Sequence, residues 1–409
     1  MKILVLNAWS SSLKYQLFAM ESDVVLAKWI VEKIWMDGSF LNYTHATIEE
    51  TITMELPSHK EAFKLIIDTL MVPSTGVLTS LNDLHAIGHR VVHGGEYFQD
   101  PVIITDEVIH KITLCTDLAP LHNPANLSAI LACKEIVPHI PQVAVFDTAF
   151  HQTMQPANYL YALPKKYYDQ YKVRRYGFHG ISHQYVYTTL LEKLRDWEIE
   201  RLDHWNLDAL KVITCHIGNW ASIAAIQNGK VIETSMGMTP LEGLMMGTRC
   251  GNIDPAIIPY LMKHENMTPD QIDTMLNKYS GLLWVSGVSA DMRDIIAGAE
   301  QGNLHCETTI TMYVNAMVKY IWSYMALLWG VDCIVLTAGV MERSKFIRAR
   351  LLNRLAWLGI FLDIQANDSV SWITVISTLA SKVKVVVIPT NEELMIAKDT
   401  YMLMKHTSK

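Results

Sequence analysis

The sequence predicts an α/β fold that is duplicated, with two related domains in one chain. At 409 residues and 50% hydrophobic content, the chain is long enough to bury two cores. Two similar strand–turn–strand segments lie about 210 residues apart. The first reads KILVLN-AWSSS-LKYQLF, and the second includes NWASIAAIQ near residue 220. Each places a polar turn between two apolar strands, so each half is predicted to supply one phosphate-facing turn.

Composition excludes several classes of protein. The formal net charge is −7 and no basic stripe is present, which argues against a nucleic-acid partner. The sixteen histidines include no H-E-x-x-H pattern. No two of the six cysteines form a C-x-x-C pair, which favours reduced cytosolic thiols over disulfides or a zinc site. These cysteines are at positions 115, 133, 215, 250, 306 and 333.

Hydropathy indicates a cytoplasmic protein without a membrane partner. The apolar run from Ile3 to Leu6 passes directly into polar residues, which is not typical of a signal peptide. The most apolar region, from Ile321 to Val340, is interrupted by Asp332. We therefore predict a buried helix followed by a buried strand in that region, and not a membrane span.

In the N-terminal half, a predicted strand carries an arginine. His59 to Leu70 has the spacing of an amphipathic helix, and AIGHRVVHGG, from Ala86 to Gly95, is a buried strand that contains Arg90. An arginine in a buried strand requires an anionic partner, since an unpaired buried charge costs too much free energy. That partner is a substrate carboxylate or a structural salt bridge, and the residues alone leave both open.

Two further segments carry candidate polar groups. VAVFDTAFHQ, from Val143 to Gln152, is a strand that delivers Asp147 at its end, a common place for catalytic carboxylates in α/β folds. YGFHGISH places His179 between an aromatic residue and a glycine. A lone histidine is more often structural than catalytic.

Residues 212–255 are the stretch around which the chain is organised. Apolar strands are predicted at 212–215, 221–226 and 231–234, with an Asn228-Gly229 turn before the third. A loop rich in glycine and methionine follows and contains Arg249. Small neighbours around an arginine suit the stabilisation of charge during phosphoryl transfer. An ordinary hairpin with a surface loop is the alternative.

The C-terminal half ends in strands and helices. Helices are predicted at 254–263, 269–278 and 304–329, and the last has buried apolar faces. A buried strand from Val331 runs into a turn that ends at Ser344. A final strand from Val385 leads through a proline turn to a helix with Asn391 as its N-cap. Glu392 lies in the first turn, where a carboxylate interacts favourably with the helix dipole. This structural role is the alternative to metal binding by Glu392.

From MKILVLNAWSSSLKYQLF to VIPTNEELMIAKDT, the whole chain resembles the acetate kinase family of the sugar kinase/actin-like superfamily. The resemblance implies a duplicated actin-like (ribonuclease H-like) two-domain fold with a central interdomain cleft. We expect an N-terminal domain at 1–184, on which the C-terminal helix also packs back. A C-terminal domain at 185–409 would hold the nucleotide loops and the interface of a homodimer.

The resemblance also implies the reaction MgATP + acetate ⇌ MgADP + acetyl phosphate, by direct in-line transfer. It assigns Arg90 to the acetate carboxylate, and Arg249 with His179 to the phosphoryl oxygens. Asp147 would position the arginines or carry a proton. Such transfer depends on positioning and charge neutralisation more than on covalent help.

The remaining site residues are also carried over from the resemblance. Mg²⁺, with Mn²⁺ as an alternative, is assigned to Asn7 and Glu392. The methyl pocket is assigned to Val92, Leu121, Phe178 and Pro240. ATP or ADP is assigned to Ser10, Ser12, Lys14, His216, Ile217, Gly218, Asn219, Trp220, Asp291, Met292, Arg293, Gly339, Val340, Met341, Glu342 and Arg343.

The chain departs from the family pattern where nucleotide should bind. Trp9, Trp220, Trp284 and Met341 stand where the family has glycine, and Arg343 stands where it has asparagine. Because glycine in such turns permits positive φ, we expect the bulky residues to be strained or to fill the phosphate space. These departures make a catalytically impaired relative one alternative. A propionate or butyrate kinase is another, because one methylene changes binding in a small apolar pocket by only about 1–3 kcal/mol.

Overall fold

The computed structural model describes residues 1–9, 11–45, 48–72, 76–196 and 209–407. Ser10, one of the predicted nucleotide contacts, lies outside these residues. The chain divides into two compact units. Unit 1 is Met1–Gln152 together with the segment that begins at Asn391, and unit 2 is Thr153–Thr390.

Unit 1 is built on a mixed eight-stranded sheet in the order β5-β4-β3-β2-β1-β6-β8-β7. Strands β1 to β5 are antiparallel neighbours, whereas β1, β6 and β8 run parallel. The strands are β1 (Lys2–Ala8), β2 (Ser12–Ala19), β3 (Val24–Glu32), β4 (Phe40–His45), β5 (Ile48–Thr53), β6 (Leu84–Val91), β7 (Val102–Ile103) and β8 (Gln142–Phe146). The helices that precede unit 2 are α1 (His59–Leu70), α2 (Asp106–Leu114) and α3 (Asn123–Ile136).

Unit 2 is built on a six-stranded sheet in the order β11-β10-β9-β12-β14-β13. Its strands are β9 (Lys211–Ile217), β10 (Ala221–Gln227), β11 (Lys230–Thr234), β12 (Cys333–Thr337), β13 (Thr374–Val375) and β14 (Lys384–Val387). Its helices are α4 (Pro156–Tyr159), α5 (Lys166–Tyr171), α6 (Gly180–Asp196), α7 (Ile257–Glu265), α8 (Pro269–Lys278), α9 (Gly281–Ser286), α10 (Met292–Glu300), α11 (Leu304–Leu327), α12 (Ala338–Arg343), α13 (Lys345–Leu355) and α14 (Ile364–Asp368).

The two sheets share one topology, which confirms the predicted duplication. In unit 1 the order β3-β2-β1-β6-β8 joins an antiparallel meander to two parallel strands. In unit 2 the order β11-β10-β9-β12-β14 repeats this arrangement, with β9, β12 and β14 parallel. The turns β1–β2 and β9–β10, at which the sequence similarity was seen, occupy equivalent positions.

The last helix, α15 (Glu392–Thr407), packs on the sheet of unit 1. Gly88 on β6 permits the contact, because a Cβ there would lie 2.5 Å from Thr400 Oγ1 and 2.8 Å from Ile396 Cγ2. The helix begins as predicted, with the Asn391 side chain accepting from the backbone N–H of Leu394 at 3.0 Å. Glu392, the first residue of this helix, therefore belongs to unit 1.

Periodicity predicted the regular elements well. Helix α1 has the predicted bounds, and α11 buries the predicted face that includes Tyr313 and Met317. Asn228 and Gly229 both have positive φ, at 54° and 73°, as the Asn-Gly turn requires. Among the described helices, none is both long and apolar enough to cross a membrane.

The division of the chain differs from the predicted boundary after residue 184. That position lies inside α6, which packs on β9 and β12 of unit 2. The preceding segment is also bound to unit 2: Thr153 Oγ1 donates to Val231 O at 2.9 Å, and Arg175 Nη1 donates to Thr234 O at 2.9 Å. The boundary therefore falls at residues 152 and 153, where β8 has already ended.

Candidate active site

A buried ion pair lies at the carboxyl ends of the parallel strands of unit 1. Arg90 on β6 is 4% exposed, and its Nη2 donates to Asp147 Oδ2 at 2.9 Å. Nη1 of the same guanidinium lies 3.4 Å from Asn7 Oδ1, at the end of β1. Burial would lower the pKa of Arg90, but the adjacent Asp147 carboxylate raises it above the ordinary value. Three predicted site residues, Asn7, Arg90 and Asp147, are thus brought together.

Two asparagines of α3 support these strand ends, and sequence reasoning missed both. Asn126 accepts from Val92 N at 3.0 Å and donates to Ala8 O at 2.8 Å, so it joins the ends of β1 and β6. Asn123 exchanges hydrogen bonds with the backbone of His93. Their signal was the polar sequence HNPAN in a segment that is otherwise apolar, since buried amides require partners.

The backbone of Trp9 lacks the strain that was one of the two expectations for a position at which the family has glycine. It is absent from the described residues with positive φ, and its N–H donates to Ser12 O at 2.8 Å to close the β1–β2 turn. The Arg90 guanidinium lies 4.7 Å from the Trp9 ring centroid, and the ring meets His122 edge-on. Trp9 therefore makes a cation–π contact with the arginine of the buried ion pair.

Glu392 adds a second carboxylate to unit 1. It is half-buried, and burial raises its pKa to about 7, reinforced by the negative charges of Asp147 and Glu393 and opposed by Arg90. Lys14, exposed on β2, also acts on this pKa and pairs with Asn7 in the sheet. The neighbouring Ser12 is the first residue of β2. Polar oxygens and one ammonium group therefore surround the β1–β2 turn.

In unit 2, His179 is held at the start of α6. Its backbone has φ 58°, a left-handed conformation that is uncommon for a residue other than glycine. Its ring stacks on His216 with centroids 4.1 Å apart, and its Nδ1 lies 2.9 Å from Ser222 Oγ. His179 is 4% exposed, so its ring is held between buried Ser222 and half-buried His216.

Arg249 is a buried cation that lacks a carboxylate partner among the described ion pairs. It is 7% exposed, and Nη1 donates to Pro240 O at 3.1 Å. Burial lowers its pKa to about 10, against a raising effect of Asp273. A guanidinium in this state is suited to bind an anion that arrives with a substrate.

Trp220 repeats in unit 2 what Trp9 does in unit 1. It also has no positive φ, and its carbonyl accepts from Gly218 N at 2.9 Å in the β9–β10 turn. The Arg249 guanidinium lies 4.5 Å from its ring centroid. The expectation of backbone strain is therefore wrong here too, and in both units the tryptophan of the turn stacks on a buried arginine.

A cavity of about 580 Å³ lies in unit 2, close to the second turn. Its volume suits a nucleotide or a ligand of similar size. Eight of the predicted nucleotide residues line it: Gly218, Asn219, Asp291, Met292, Arg293, Gly339, Val340 and Arg343. The other lining residues, which sequence reasoning missed, are Leu282, Ala290, Ile296 and Ser344.

Met341 and Glu342 do not line this cavity, and the predicted turn around them is the helix α12. Met341 is completely buried in a helical conformation, so the expected strain is absent. Glu342 Oε1 accepts from Ala338 N at 2.7 Å and from Thr390 N at 3.0 Å. Trp284 is also helical, on α9, and is 58% exposed.

The other predicted residues are divided between the two units. His216 and Ile217 end β9 behind the turn, and neither lines the cavity. Of the predicted methyl pocket, buried Val92 and exposed Leu121 belong to unit 1, whereas buried Phe178 and half-buried Pro240 belong to unit 2.

The fold and these groups define an actin-like phosphotransferase: two α/β units of one topology, a nucleotide-sized cavity beside a turn, and a buried arginine ready for an anion. The sequence model of the acetokinase family matches residues 2–398. The chain is 50% identical over 406 residues to an acetate kinase of Halothermothrix orenii, covering 99% of this chain and 100% of that one. The chain belongs to the acetokinase family.

Solved structures agree with this assignment. An acetate kinase of Porphyromonas gingivalis matches with a TM-score of 0.92 and 44% identity, covering 98% of this chain and 99% of that one. A propionate kinase of Francisella tularensis matches with a TM-score of 0.89 and 38% identity, covering 98% and 99%. Both likenesses span the two units.

Proposed function

We propose that this chain is an acetate kinase, which transfers the γ-phosphoryl group of ATP reversibly to acetate. The observation that carries the proposal is the 50% identity to an acetate kinase along the full chain. The buried set of Arg90, Asp147, His179 and Arg249 supports it, because each residue has the environment that its role requires. Neither tryptophan has a positive φ, and the full-length identity to an acetate kinase favours the active form over the impaired alternative.

Arg90 binds the carboxylate of acetate, and Asp147 positions the Arg90 guanidinium. The hydrogen bond from Nη2 to Asp147 fixes the plane of the guanidinium, and Trp9 covers one of its faces. The Nε atom of Arg90 is buried and has no hydrogen-bond partner among the described residues. A planar guanidinium with a donor still available is suited to a carboxylate.

Arg249 and His179 stabilise the charge on the transferring phosphoryl group. Phosphoryl transfer spreads negative charge over three oxygens, and fixed donors in a buried site act strongly on it. Arg249 forms no ion pair among those of the described residues, and His179 is fixed by Ser222 and the His216 ring. ATP occupies the 580 Å³ cavity of unit 2.

Asn7 and Glu392 are proposed to hold Mg²⁺, or Mn²⁺ in its place. Their donor set fits, because amide and carboxylate oxygens are the ligands that these hard cations prefer. Among the described residues, no group of three or more His, Cys, Asp and Glu side chains could hold a metal alone. This agrees with a cation that is bound mainly through substrate phosphates. Bound Mg²⁺ would neutralise phosphate charge.

Turnover with acetate tests the proposal directly. The chain with MgATP and acetate should form acetyl phosphate, trapped with hydroxylamine as the hydroxamate. We expect kcat/KM for propionate to be lower by roughly 10- to 200-fold, since one methylene changes binding by that order. Faster turnover with propionate or butyrate would overturn the choice of acetate.

A variant with Trp9→Gly, Trp220→Gly and Met341→Gly is the matched comparison. Because none of the three residues is strained, we expect the chain as written to turn over within about tenfold of this variant. Activity confined to the glycine variant would mean that the side chains exclude ATP. Inactivity of both, with both folded, would contradict the residue assignments.

We further propose that the chain forms a homodimer through unit 2 and acts in the cytoplasm. Trp322 on α11 is 45% exposed and contacts Trp357, which is 70% exposed. Phe361 and Ile364 continue the apolar surface along an adjacent groove of about 500 Å³. Exposed apolar patches of this kind mark interfaces. The six cysteines are all free thiols, as in reducing compartments.

Sedimentation tests the interface. Trp322→Glu with Trp357→Glu should convert a dimer to a monomer, because a buried glutamate would have no partner there. Trp284→Glu, at an equally exposed tryptophan elsewhere in unit 2, should leave the dimer intact. A dimer that survives the double substitution would place the interface on another surface.

A further inference from the structure

A chain of three buried side chains leads from the interior of the second sheet to His179. Ser222 Oγ lies 2.9 Å from His179 Nδ1 and 2.8 Å from His183 Nε2, so one hydroxyl bridges two imidazoles. His183 Nδ1 in turn lies 2.7 Å from Thr214 Oγ1. Thr214, His183 and Ser222 are all 0% exposed. All three side chains are therefore shielded from bulk water.

The hydrogen atoms of the two hydroxyls determine the direction of these bonds. A hydroxyl donates one hydrogen bond, and a neutral imidazole has one nitrogen that donates and one that accepts. Among the described hydrogen bonds, His183 Nδ1 is the partner of the Thr214 hydroxyl, and the two imidazoles are the partners of the Ser222 hydroxyl. A buried hydroxyl that fails to donate costs free energy.

One arrangement satisfies every buried group. Thr214 donates to His183 Nδ1, which places the His183 proton on Nε2. That Nε2–H donates to Ser222 Oγ, and Ser222 then donates to His179 Nδ1. The proton of His179 consequently lies on its Nε2. In the reverse arrangement, the Thr214 hydroxyl only accepts, and its own hydrogen is left without a partner.

We infer that Thr214, His183 and Ser222 form a directional hydrogen-bond chain that fixes His179 as the Nε2–H tautomer, ready to donate to the phosphoryl group. The inference rests on the proposed function for the identity of that acceptor. The three residues are positioning residues, since they act through His179. The plane of the His179 ring is fixed separately, by stacking on His216 and by the left-handed backbone.

Nuclear magnetic resonance tests the tautomers without reference to activity. In protein labelled with ¹⁵N-histidine, long-range ¹H–¹⁵N correlations show which ring nitrogen carries the proton. Signals are assigned by their loss in His179→Gln and His183→Gln variants. We expect Nε2–H for both histidines. A proton on Nδ1 of either neutral ring would overturn the proposed direction.

Turnover of Thr214 variants tests whether the hydrogen-bond chain affects catalysis, because two side chains separate Thr214 from His179. Thr214→Val keeps the shape and removes the hydroxyl, and we expect kcat to fall on the order of tenfold, as for other supporting hydrogen bonds. KM for acetate and for ATP should stay within about twofold. Thr214→Ser restores the donor and should recover most of the lost turnover. Equal kcat for Thr214→Val and the unaltered chain would overturn the inference.

Ser222→Ala tests the centre of the hydrogen-bond chain, and Ser235→Ala is its matched control. Both serines are 0% exposed, but Ser235 Oγ accepts from Ile223 N and is not part of the chain. We expect Ser222→Ala to lose about 10- to 100-fold in kcat and Ser235→Ala to change it little. Should Ser222→Ala fail to fold, the Thr214 pair decides. If the unaltered chain forms no acetyl phosphate, the proposed function fails, while the tautomers still decide the inference.

Discussion

Replacing Arg249 by methionine should lower kcat for acetyl phosphate formation by about a thousandfold or more, without loss of stability. The guanidinium supplies charge to the transferring phosphoryl group, and methionine supplies none. In the protein without substrate, burial of the Arg249 charge costs free energy, as its lowered pKa of about 10 indicates. The free energy of unfolding should therefore be unchanged or slightly higher in the variant.

Urea unfolding and hydroxamate kinetics measure the two effects. Arg350→Met is the control: Arg350 is 42% exposed and pairs with Glu307 at 2.7 Å, so its removal should change neither quantity by much. A marked loss of stability in Arg249→Met would show that its contacts with Pro240 O and the Trp220 ring outweigh the cost of burying its charge. Near-normal kcat would remove Arg249 from the mechanism.

Replacing Arg90 by methionine should abolish activity and also destabilise the protein, by about 3–5 kcal/mol. The reason is Asp147, which is 1% exposed and would remain as a buried carboxylate without its cation. Acetate would also lose the group that binds its carboxylate. The two arginines should therefore differ in stability although both are required for turnover.

A double-mutant cycle separates these effects. Adding Asp147→Leu to Arg90→Met removes the uncompensated charge, so the free energy of unfolding should recover by several kcal/mol while turnover stays lost. Additive destabilisation in the double variant would mean that the ion pair does not couple the two residues. Turnover in Arg90→Met would contradict the role in acetate binding.

The residues alone located the elements and the charged groups but not their partners, and only the family resemblance suggested that Asp147 positions the arginines. Periodicity predicted both ends of α1 correctly, and the repeated turn predicted the repeated sheet. For the anionic partner of Arg90, the residues left two possibilities: a substrate carboxylate or a structural salt bridge. The structure supplies the bridge to Asp147, and the proposed function assigns the substrate to the remaining donors. A partner 57 residues away is set by strand order, which no local pattern contains.

The tryptophans show where a family pattern misleads. Glycine in a turn indicates that positive φ is permitted, but it does not show that the turn uses it. Trp9 and Trp220 have ordinary backbone, and their rings lie on Arg90 and Arg249. Conversely, His179 has positive φ and nothing in its sequence indicated it. Tertiary contacts decide such positions.

The return of α15 to the first sheet has a consequence for synthesis of the chain. Strands β1, β6 and β8 are made early, but the helix that packs on them follows all 238 residues from Thr153 to Thr390. During synthesis the strands that α15 covers therefore stay without that helix until the whole of unit 2 has been made. Glu392 arrives with the final helix. A truncated nascent chain would consequently lack both this cover and a proposed metal ligand, so it could not act before its synthesis reaches that helix.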